Sequence, residues 1–183
     1  ILKGMGELHL QIAFERMERE FNVRVRSGRP LVMHRETIAN LATAEGGVDR
    51  SIPRGEGTFE LRASCVATVR PLERGEGVKV LCEPAWEPAE VSISEDQRRA
   101  VEEGAHDALA GGPLEGAELQ DVEVSIDKVI TSGAASNAQA LRIASATAVR
   151  EALRQAGGVL LQPVMRVEVV VPDENTGSVL GDL

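Results

Sequence analysis

The segment from Thr58 to Arg70 alternates between apolar or small side chains and polar ones, and this pattern predicts a long β-strand. The side chains at every second position are Phe59, Leu61, Ala63, Cys65, Ala67 and Val69. A period of two places them on one face of a strand. An apolar strand face has to be covered, so we expect a sheet packed against a second layer of structure.

Two segments with helical spacing are candidates for that layer. Ser94 followed by Gln97 has the spacing of a capping box and predicts a helix over 95–110. The second segment, 137–155, carries a stripe of mostly small side chains at helical spacing: Leu141, Ala144, Ser145, Ala148 and Ala152. This stripe favours close packing against a neighbour, and glycine pairs follow both segments and end the helices.

The rest of the pattern predicts shorter elements. The expected elements are a helix over Glu7–Phe21, strands over Val23–Arg26, Leu31–Ile38, Val78–Cys82, Leu119–Val129 and Val164–Val171, and a glycine-containing loop over Asn40–Gly57. This order predicts an α+β fold, with a mixed sheet and helices on one face. The first helix and strand and the last strand have no sheet of their own, so we expect incomplete domains at both flanks.

The composition limits the classes of function. The formal net charge is −9, whereas a protein that binds nucleic acid on its own is usually basic, so we expect no DNA binding. Aromatic residues make up 2% of the chain, which leaves few platforms for stacking bases. No apolar run approaches the roughly 20 residues of a membrane span. Two cysteines without a CxxC spacing fit a reducing, cytoplasmic environment.

The sequence contains no recognisable catalytic motif. It has neither a GxxxxGK[ST] phosphate loop nor a GxSxG nucleophile elbow. The histidines, His9, His34 and His106, lack partners at the spacing of a metal site. Cys65 lies on the apolar face of its strand and is expected to be a buried structural thiol. We therefore expect no enzymatic activity, no cofactor and no metal in this chain.

Short motifs spread along the whole chain form an ordered series. They include Gly4-Met5-Gly6-Glu7-Leu8-His9-Leu10, Glu18-Arg19-Glu20-Phe21, Ser27-Gly28-Arg29-Pro30, Arg35-Glu36-Thr37-Ile38, Gly112-Pro113-Leu114, Asp121-Val122, Gln162-Pro163-Val164 and Val179-Leu180-Gly181. In this order they resemble the motifs of the translation elongation factor G family. A single motif is weak evidence, but an ordered series of this length is not expected by chance.

The resemblance implies three domains. Residues 1–29 would be the end of a ferredoxin-like third domain, and 30–161 a fourth domain similar to ribosomal protein S5 domain 2. Residues 162–183 would begin a ferredoxin-like fifth domain. The GTPase domain of the family, with its GTP and magnesium, would lie outside this chain, which is expected to be a piece of a longer parent protein.

The same resemblance implies a role in protein synthesis. In the family, the fourth domain is a ribosome-binding arm whose tip is inserted near the decoding site of the small subunit during GTP-driven translocation. The expected partners are therefore the ribosome, small-subunit ribosomal RNA, and the transfer and messenger RNA in the decoding site. A membrane partner is not expected, and the implied location is the cytoplasm.

Two tip loops are expected to contact RNA. The candidate residues are Lys128, Thr131, Ser132 and Gly133 at one loop, and Arg50 and Arg54 near the other. The basic side chains would meet phosphates, and Ser132 would donate to a ribose hydroxyl.

The tip departs from the family pattern in two ways. A long glycine-rich loop usually precedes the central strand, and Gly57–Ser64 retains almost none of it. A histidine usually stands near the position of Ser132, whereas Thr131–Ser136 has no histidine and no charge. These losses leave open an alternative role, in which the parent is a divergent paralogue that acts in ribosome recycling or ribosomal protection.

Two other classes of function also remain open. The S5-like fold serves metabolic kinases, which would need a phosphate-binding loop before a helix. Ser132–Ser136 is the candidate, because the N-terminus of a helix favours anions. The remaining alternative is a protein-interaction module that makes no contact with RNA.

Overall fold

The computed structural model describes residues 2–29, 32–54, 57–164, 166 and 168–182, and at 54, 57, 174 and 182 it describes the backbone alone. The chain divides into two units, Ile1–Met33 and His34–Leu183. The helices are α1 Glu7–Phe21, α2 Glu95–Leu109, α3 Ala138–Ala156 and α4 Thr176–Asp182. The strands are β1 Arg35–Ile38, β2 Ala42–Arg54, β3 Gly57–Pro71, β4 Val78–Glu87, β5 Glu118–Leu119, β6 Val122–Thr131 and β7 Gly158–Leu161.

The first unit consists of α1 and the chain that follows it. The predicted bounds of α1 are confirmed, and Asn22 ends the helix in the left-handed conformation with φ 53°. Arg16 and Glu20 form an ion pair at 3.1 Å one turn apart on its surface. The predicted strand over Val23–Arg26 is wrong, since these residues form no strand. Alternation is not sufficient for a strand, which also needs a hydrogen-bonded neighbour.

The second unit is built on a four-stranded sheet in the order β2-β3-β6-β4. β3 pairs antiparallel with β2 and β6, and β4 pairs parallel with β6. The strand predicted from alternation is confirmed, because its inward side chains are buried: Leu61, Ala63, Cys65, Ala67 and Val69. The predicted α+β class with a mixed sheet is confirmed as well.

The expected loop over Asn40–Gly57 is wrong, because Ala42–Arg54 forms strand β2. Gly46 lies within this strand and pairs with Cys65. A Cβ atom on Gly46 would overlap backbone atoms of Ala148 on α3, so the glycine lets the helix lie close to the strand. The glycine therefore reflects a close approach of two backbones, which is a tertiary requirement, and does not mark a turn.

Helices α2 and α3 form the second layer of this unit. α3 packs against β2 and β3, and α2 packs against α3 and β4. The predicted capping box is present, because Ser94 Oγ accepts from Gln97 N at 3.2 Å and Gln97 Oε1 accepts from Ser94 N at 3.0 Å. Gly104 on α2 allows the two helices to meet closely, since a Cβ atom there would strike the carbonyl oxygen of Arg142.

A small three-stranded sheet, in the order β5-β1-β7, lies at the C-terminal end of α3, where Asn40 N donates to the carbonyl oxygen of Ala156. Glu36 on β1 is fully buried. Its carboxylate accepts hydrogen bonds from the backbone N–H groups of Leu114, Glu115 and Ala117 at 2.7 to 2.9 Å. These bonds attach the loop that follows α2 to the small sheet.

The segment after β7 differs from its prediction. The strand expected over Val164–Val171 is not formed by the described residues of that segment. Val164 is 94% exposed and Val170 is 88% exposed, so their apolar side chains are not covered. A single 3-10 turn at Asp173–Asn175 then leads into α4.

Candidate functional site

The end of the large sheet where β2 and β3 join extends beyond the other strands. β6 reaches only Thr131, which pairs with Ala63 on β3. Beyond this pair, Asp49–Arg54 and Gly57–Arg62 form an antiparallel ladder with no third strand among the described residues. At about 3.4 Å per residue, this two-stranded ladder projects roughly 20 Å. It is referred to below as the hairpin extension.

The charges on the hairpin extension balance. Within residues 49–62, the acidic residues are Asp49, Glu56 and Glu60, and the basic residues are Arg50, Arg54 and Arg62. The guanidinium of Arg62 lies 3.2 Å from the carboxylate of Asp49. The whole chain has a net charge of −9, so the hairpin extension is repelled less by a polyanion than the average surface is.

A second loop, residues 131–137, lies beside the base of the hairpin extension. Ser136 Oγ donates to the backbone carbonyl oxygen of Arg62 at 2.5 Å, which ties this loop to β3. Asn137 caps α3, because its Oδ1 accepts from Ala140 N at 3.0 Å. The hairpin extension and this loop therefore form one surface, referred to below as the hairpin end.

An irregularity in β6 sets the direction in which this loop begins. Asp127 has no partner in the ladder with β3 or in the ladder with β4. Ile126 before it and Val129 after it are both buried, while Asp127 and Lys128 between them reach the surface. The extra residue is a β-bulge, which changes the alternation of the strand. Because of this bulge, Thr131 faces the core.

The predicted basic residues have different environments. Arg50 is exposed, and it lies within β2, opposite Leu61, where a loop was expected. The backbone of Arg54 ends β2, but its side chain lies outside the described part of the chain. Lys128 Nζ lies 2.7 Å from Glu87 Oε1 on the neighbouring strand β4. The charge of Lys128 is therefore compensated, while Arg50 has no ion-pair partner within the described residues.

The predicted residues of the second loop separate into an anchor and an apex. Thr131 is buried, and its hydroxyl donates to the carbonyl oxygen of Glu87 at 3.0 Å, so it acts as the anchor. Ser132 and Gly133 are exposed and form the apex. Gly133 has φ 59°, in the left-handed region that favours glycine. Arg50, Ser132 and Gly133 are thus presented to solvent at the hairpin end, whereas Thr131 is not.

Two further residues, Ser136 and Gln97, hold the apex, and the sequence does not predict this role for either. Ser136 is 1% exposed, and its Oγ accepts a hydrogen bond from Ser132 N at 2.7 Å. Gln97 Nε2 donates to the carbonyl oxygen of Ser136 at 2.9 Å. The sequence shows Gln97 as part of a capping box, but no local signal indicates that it also reaches a loop 39 positions away.

Two N–H groups of the candidate phosphate-binding loop Ser132–Ser136 are already bonded within the loop. Ser132 N donates to Ser136 Oγ, and Ser136 N donates to the carbonyl oxygen of Gly133 at 3.1 Å. A phosphate cradle needs several backbone N–H groups that point to an open space. The N–H groups of Ser132 and Ser136 are therefore unavailable to a phosphate, which favours a surface contact over a nucleotide-binding site.

The rest of the described chain offers little reactive chemistry. Burial raises the pKa of the Cys65 thiol to about 12, so the thiol stays protonated at neutral pH. In the residues that the structure describes, no group of three or more histidine, cysteine, aspartate or glutamate side chains is placed to hold a metal ion.

None of the helices described combines the length and apolar character needed to cross a membrane.

Known protein families match this chain over most of its length. The family model described as "Elongation factor G, domain IV" matches residues 30–157, which include the hairpin end. The model described as "Elongation Factor G, domain III" matches residues 1–29. A crystal structure of a protein from Thermus thermophilus is similar, with a TM-score of 0.71 and 27% identity, and the match covers 98% of this chain and 25% of that one.

Curated relatives point to the same family. Elongation factor G 2 of Syntrophus aciditrophicus is 34% identical, elongation factor G 2 of Desulfotalea psychrophila 38%, and elongation factor G of Paracoccus denitrificans 38%. Each match covers 100% of this chain and 25% or 26% of the relative. The chain thus spans about a quarter of the length of these relatives. The resemblance seen in the motifs is confirmed, and the chain belongs to the elongation factor G family.

Proposed function

We propose that this chain forms the ribosome-binding arm of an elongation factor G-type translational GTPase. In this proposal, the hairpin end is inserted near the decoding site of the small subunit while transfer and messenger RNA move. The observation that carries the proposal is the hairpin extension, which projects beyond a sheet whose base is packed against α2 and α3. A narrow projection on a firmly packed base fits a confined site lined by RNA.

The surface of the hairpin end supports contact by shape and a few hydrogen bonds. Arg50 is exposed for a phosphate, and the hydroxyl of Ser132 is exposed for a ribose 2′-OH. Gly133 keeps the apex small, which lets the backbone approach a partner closely. The balanced charge of the hairpin extension reduces repulsion, while the acidic remainder of the chain would weaken binding to RNA on its own.

The proposal includes the arrangement of the parent protein. Residues 1–29, 30–161 and 162–183 would belong to three successive domains, and the family models for domains III and IV support the first division. GTP and magnesium would bind elsewhere in the parent, whose partners would be the ribosome, small-subunit ribosomal RNA and the RNAs in the decoding site. In this proposal, the protein works in the cytoplasm.

The decisive experiment shortens the hairpin extension in the intact protein. Replacing residues 51–60 by Asn-Gly closes the hairpin directly on the Arg50–Leu61 pair, because Asn-Gly is a preferred two-residue turn. We expect the variant to fold, to lose its footprint on small-subunit ribosomal RNA and to bind ribosomes weakly. The control is Glu73→Ala, in the turn at the opposite end of β3. A footprint that is unchanged in the shortened variant would refute the proposal.

A second candidate role is ribosome recycling or ribosomal protection by a divergent paralogue. It is favoured by the composition of Thr131–Ser136, which contains no histidine and no charged residue. The two roles are separated by measuring translocation and ribosome splitting with the same preparation of the intact protein. Fast translocation without splitting assigns the elongation role, and splitting without translocation assigns recycling. If neither is seen, displacement of a ribosome-bound inhibitor tests the protective role.

A further inference from the structure

The exposed apex of the second loop is held from behind by buried and half-buried groups. Thr131 donates to the carbonyl oxygen of Glu87 on β4 at 3.0 Å. Ser136 Oγ accepts a hydrogen bond from Ser132 N at 2.7 Å and donates one to the carbonyl oxygen of Arg62 on β3 at 2.5 Å. The apex residues themselves contribute no side-chain hydrogen bond within the described residues. The shape of the apex therefore depends on Thr131 and Ser136, and not on the residues that a partner would touch.

Gln97 connects this anchored loop to α2. Its Oε1 accepts from Ser94 N at 3.0 Å, which belongs to the capping box, and its Nε2 donates to the carbonyl oxygen of Ser136 at 2.9 Å. A primary amide carries both a donor and an acceptor, so one side chain satisfies two different elements. A capping box uses only the acceptor, which glutamate would supply equally well. The donor is needed only for the contact with Ser136.

We propose that Gln97 is a positioning residue, which holds the Ser132–Gly133 apex in its binding shape through Ser136. This inference rests on the proposed ribosome-binding function and adds a residue that itself stays behind the contact surface. An apex that is already ordered loses less conformational entropy when it binds than a mobile one does. The contribution of Gln97 is thus an affinity effect, produced without contact with RNA.

One substitution separates this role from ordinary helix stability. Gln97→Glu keeps an acceptor for Ser94 N, and a carboxylate is favourable in the first turn of a helix. It replaces the donor that faces the carbonyl oxygen of Ser136 with an oxygen, so that two acceptors oppose each other. The matched control is Ser94→Ala, which weakens the cap of α2 but leaves the Gln97–Ser136 bond in place.

The test measures three properties of the intact protein and of both variants: the melting temperature, amide hydrogen exchange at Ser132, and affinity for ribosomes. Exchange at Ser132 reports the loop directly, because its N–H is bonded to Ser136 Oγ. For Gln97→Glu we expect a melting temperature no lower than that of Ser94→Ala, faster exchange, and binding weaker by roughly three- to tenfold, the effect of losing about one hydrogen bond. For Ser94→Ala we expect a lower melting temperature with wild-type exchange and affinity.

The outcomes are distinguishable. Faster exchange in Gln97→Glu with unchanged affinity would overturn the positioning role while ribosome binding by the wild type stands. Unchanged exchange would overturn it too, because the loop would not depend on the bond. If affinity falls in proportion to the melting temperature in both variants, Gln97 contributes only to the stability of the fold and the positioning role is overturned. Failure of the wild-type protein to bind ribosomes would overturn the proposed function, and the positioning role with it.

Discussion

The ammonium nitrogen of Lys128 lies 2.7 Å from a carboxylate oxygen of Glu87, and the two residues come from neighbouring parallel strands. Arg50, in contrast, is exposed at the base of the hairpin extension and has no ion-pair partner within the described residues. An uncompensated cation releases more counterions when it meets a phosphate than one already paired with a carboxylate. The two basic residues should therefore contribute unequally to binding RNA.

We predict that Arg50→Ala weakens ribosome binding by the intact protein. The slope of the logarithm of affinity against the logarithm of salt concentration should become shallower by about one. The double variant Lys128→Ala/Glu87→Ala removes both members of a neutral pair and should stay close to the wild-type slope. Affinity measured at several salt concentrations checks both expectations. A larger loss of slope in the double variant than in Arg50→Ala would show that the pair opens to contact phosphate.

The buried carboxylate of Glu36 gives a pH-dependent prediction. Burial by itself would raise the pKa of Glu36, but the backbone N–H groups of Leu114, Ala117 and Glu115 outweigh it and hold the pKa below its usual value. A lowered pKa in the folded state stabilises the protein above the unfolded value of roughly 4.3. This stabilisation is lost as the pH falls through the lower, folded-state pKa.

We predict that Glu36→Gln lowers the free energy of unfolding by about 2 to 4 kcal/mol at pH 7, because its amide group opposes a backbone N–H donor. The difference from the wild type should shrink below about pH 4, because the carboxyl of the unfolded wild-type chain takes up a proton there while the folded carboxyl is still ionised. Urea unfolding at pH 7 and pH 3.5 measures both values. Glu118→Gln is the matched control, since that side chain is 74% exposed. A difference that does not depend on pH would contradict the role of the charge.

The contact between Gly46 and α3 predicts a large effect from one methyl group. A Cβ atom on Gly46 would overlap backbone atoms of Ala148, and a backbone cannot move aside as a flexible side chain can. Gly46→Ala should therefore destabilise the intact protein by about 3 kcal/mol or more. Gly6→Ala is the control, because a Cβ there meets nothing within 4 Å. Thermal unfolding compares the two variants, and equal melting temperatures would disprove the close approach.

The two cysteines should differ in reactivity. Burial raises the pKa of Cys65 to about 12, and its side chain is 0% exposed, so at pH 8 the thiol stays protonated and out of reach of reagents. Burial also raises the pKa of Cys82, which is only partly buried. We expect iodoacetamide to modify Cys82 slowly and Cys65 only after unfolding, as peptide mass spectrometry can measure. Comparable labelling of both cysteines in the folded protein would contradict the buried position of Cys65.

Part of the fold follows from local patterns. The alternation from Phe59 to Val69 predicts β3, and the Ser94–Gln97 spacing predicts the start of α2 within one residue. Such signals are reliable because a period or a cap depends on residues that are close in sequence. β2 was missed for the opposite reason. Gly46 resembles a turn residue in the sequence, and only its contact with Ala148 explains its presence in a strand.

The candidate site shows the same division. The family motifs pointed to Thr131–Gly133 as a tip loop, and the structure places Ser132 and Gly133 at an exposed apex. The bulge at Asp127 could not be read from the alternation, and without it Thr131 would face solvent instead of the carbonyl oxygen of Glu87. The pairing of Lys128 with Glu87 and that of Gln97 with Ser136 join distant positions, which no local pattern can report.

The sequence by itself determined the family, the α+β class and the main helices, because ordered motifs, periodicity and caps are properties of neighbouring residues. Tertiary structure alone decided which of the candidate residues are available to a partner. Arg50 and the Ser132–Gly133 apex are exposed, Lys128 is paired and Thr131 is buried. The physical reason is that exposure and charge compensation depend on which strands and helices are brought together, and that is settled only when the sheet and its helical layer pack.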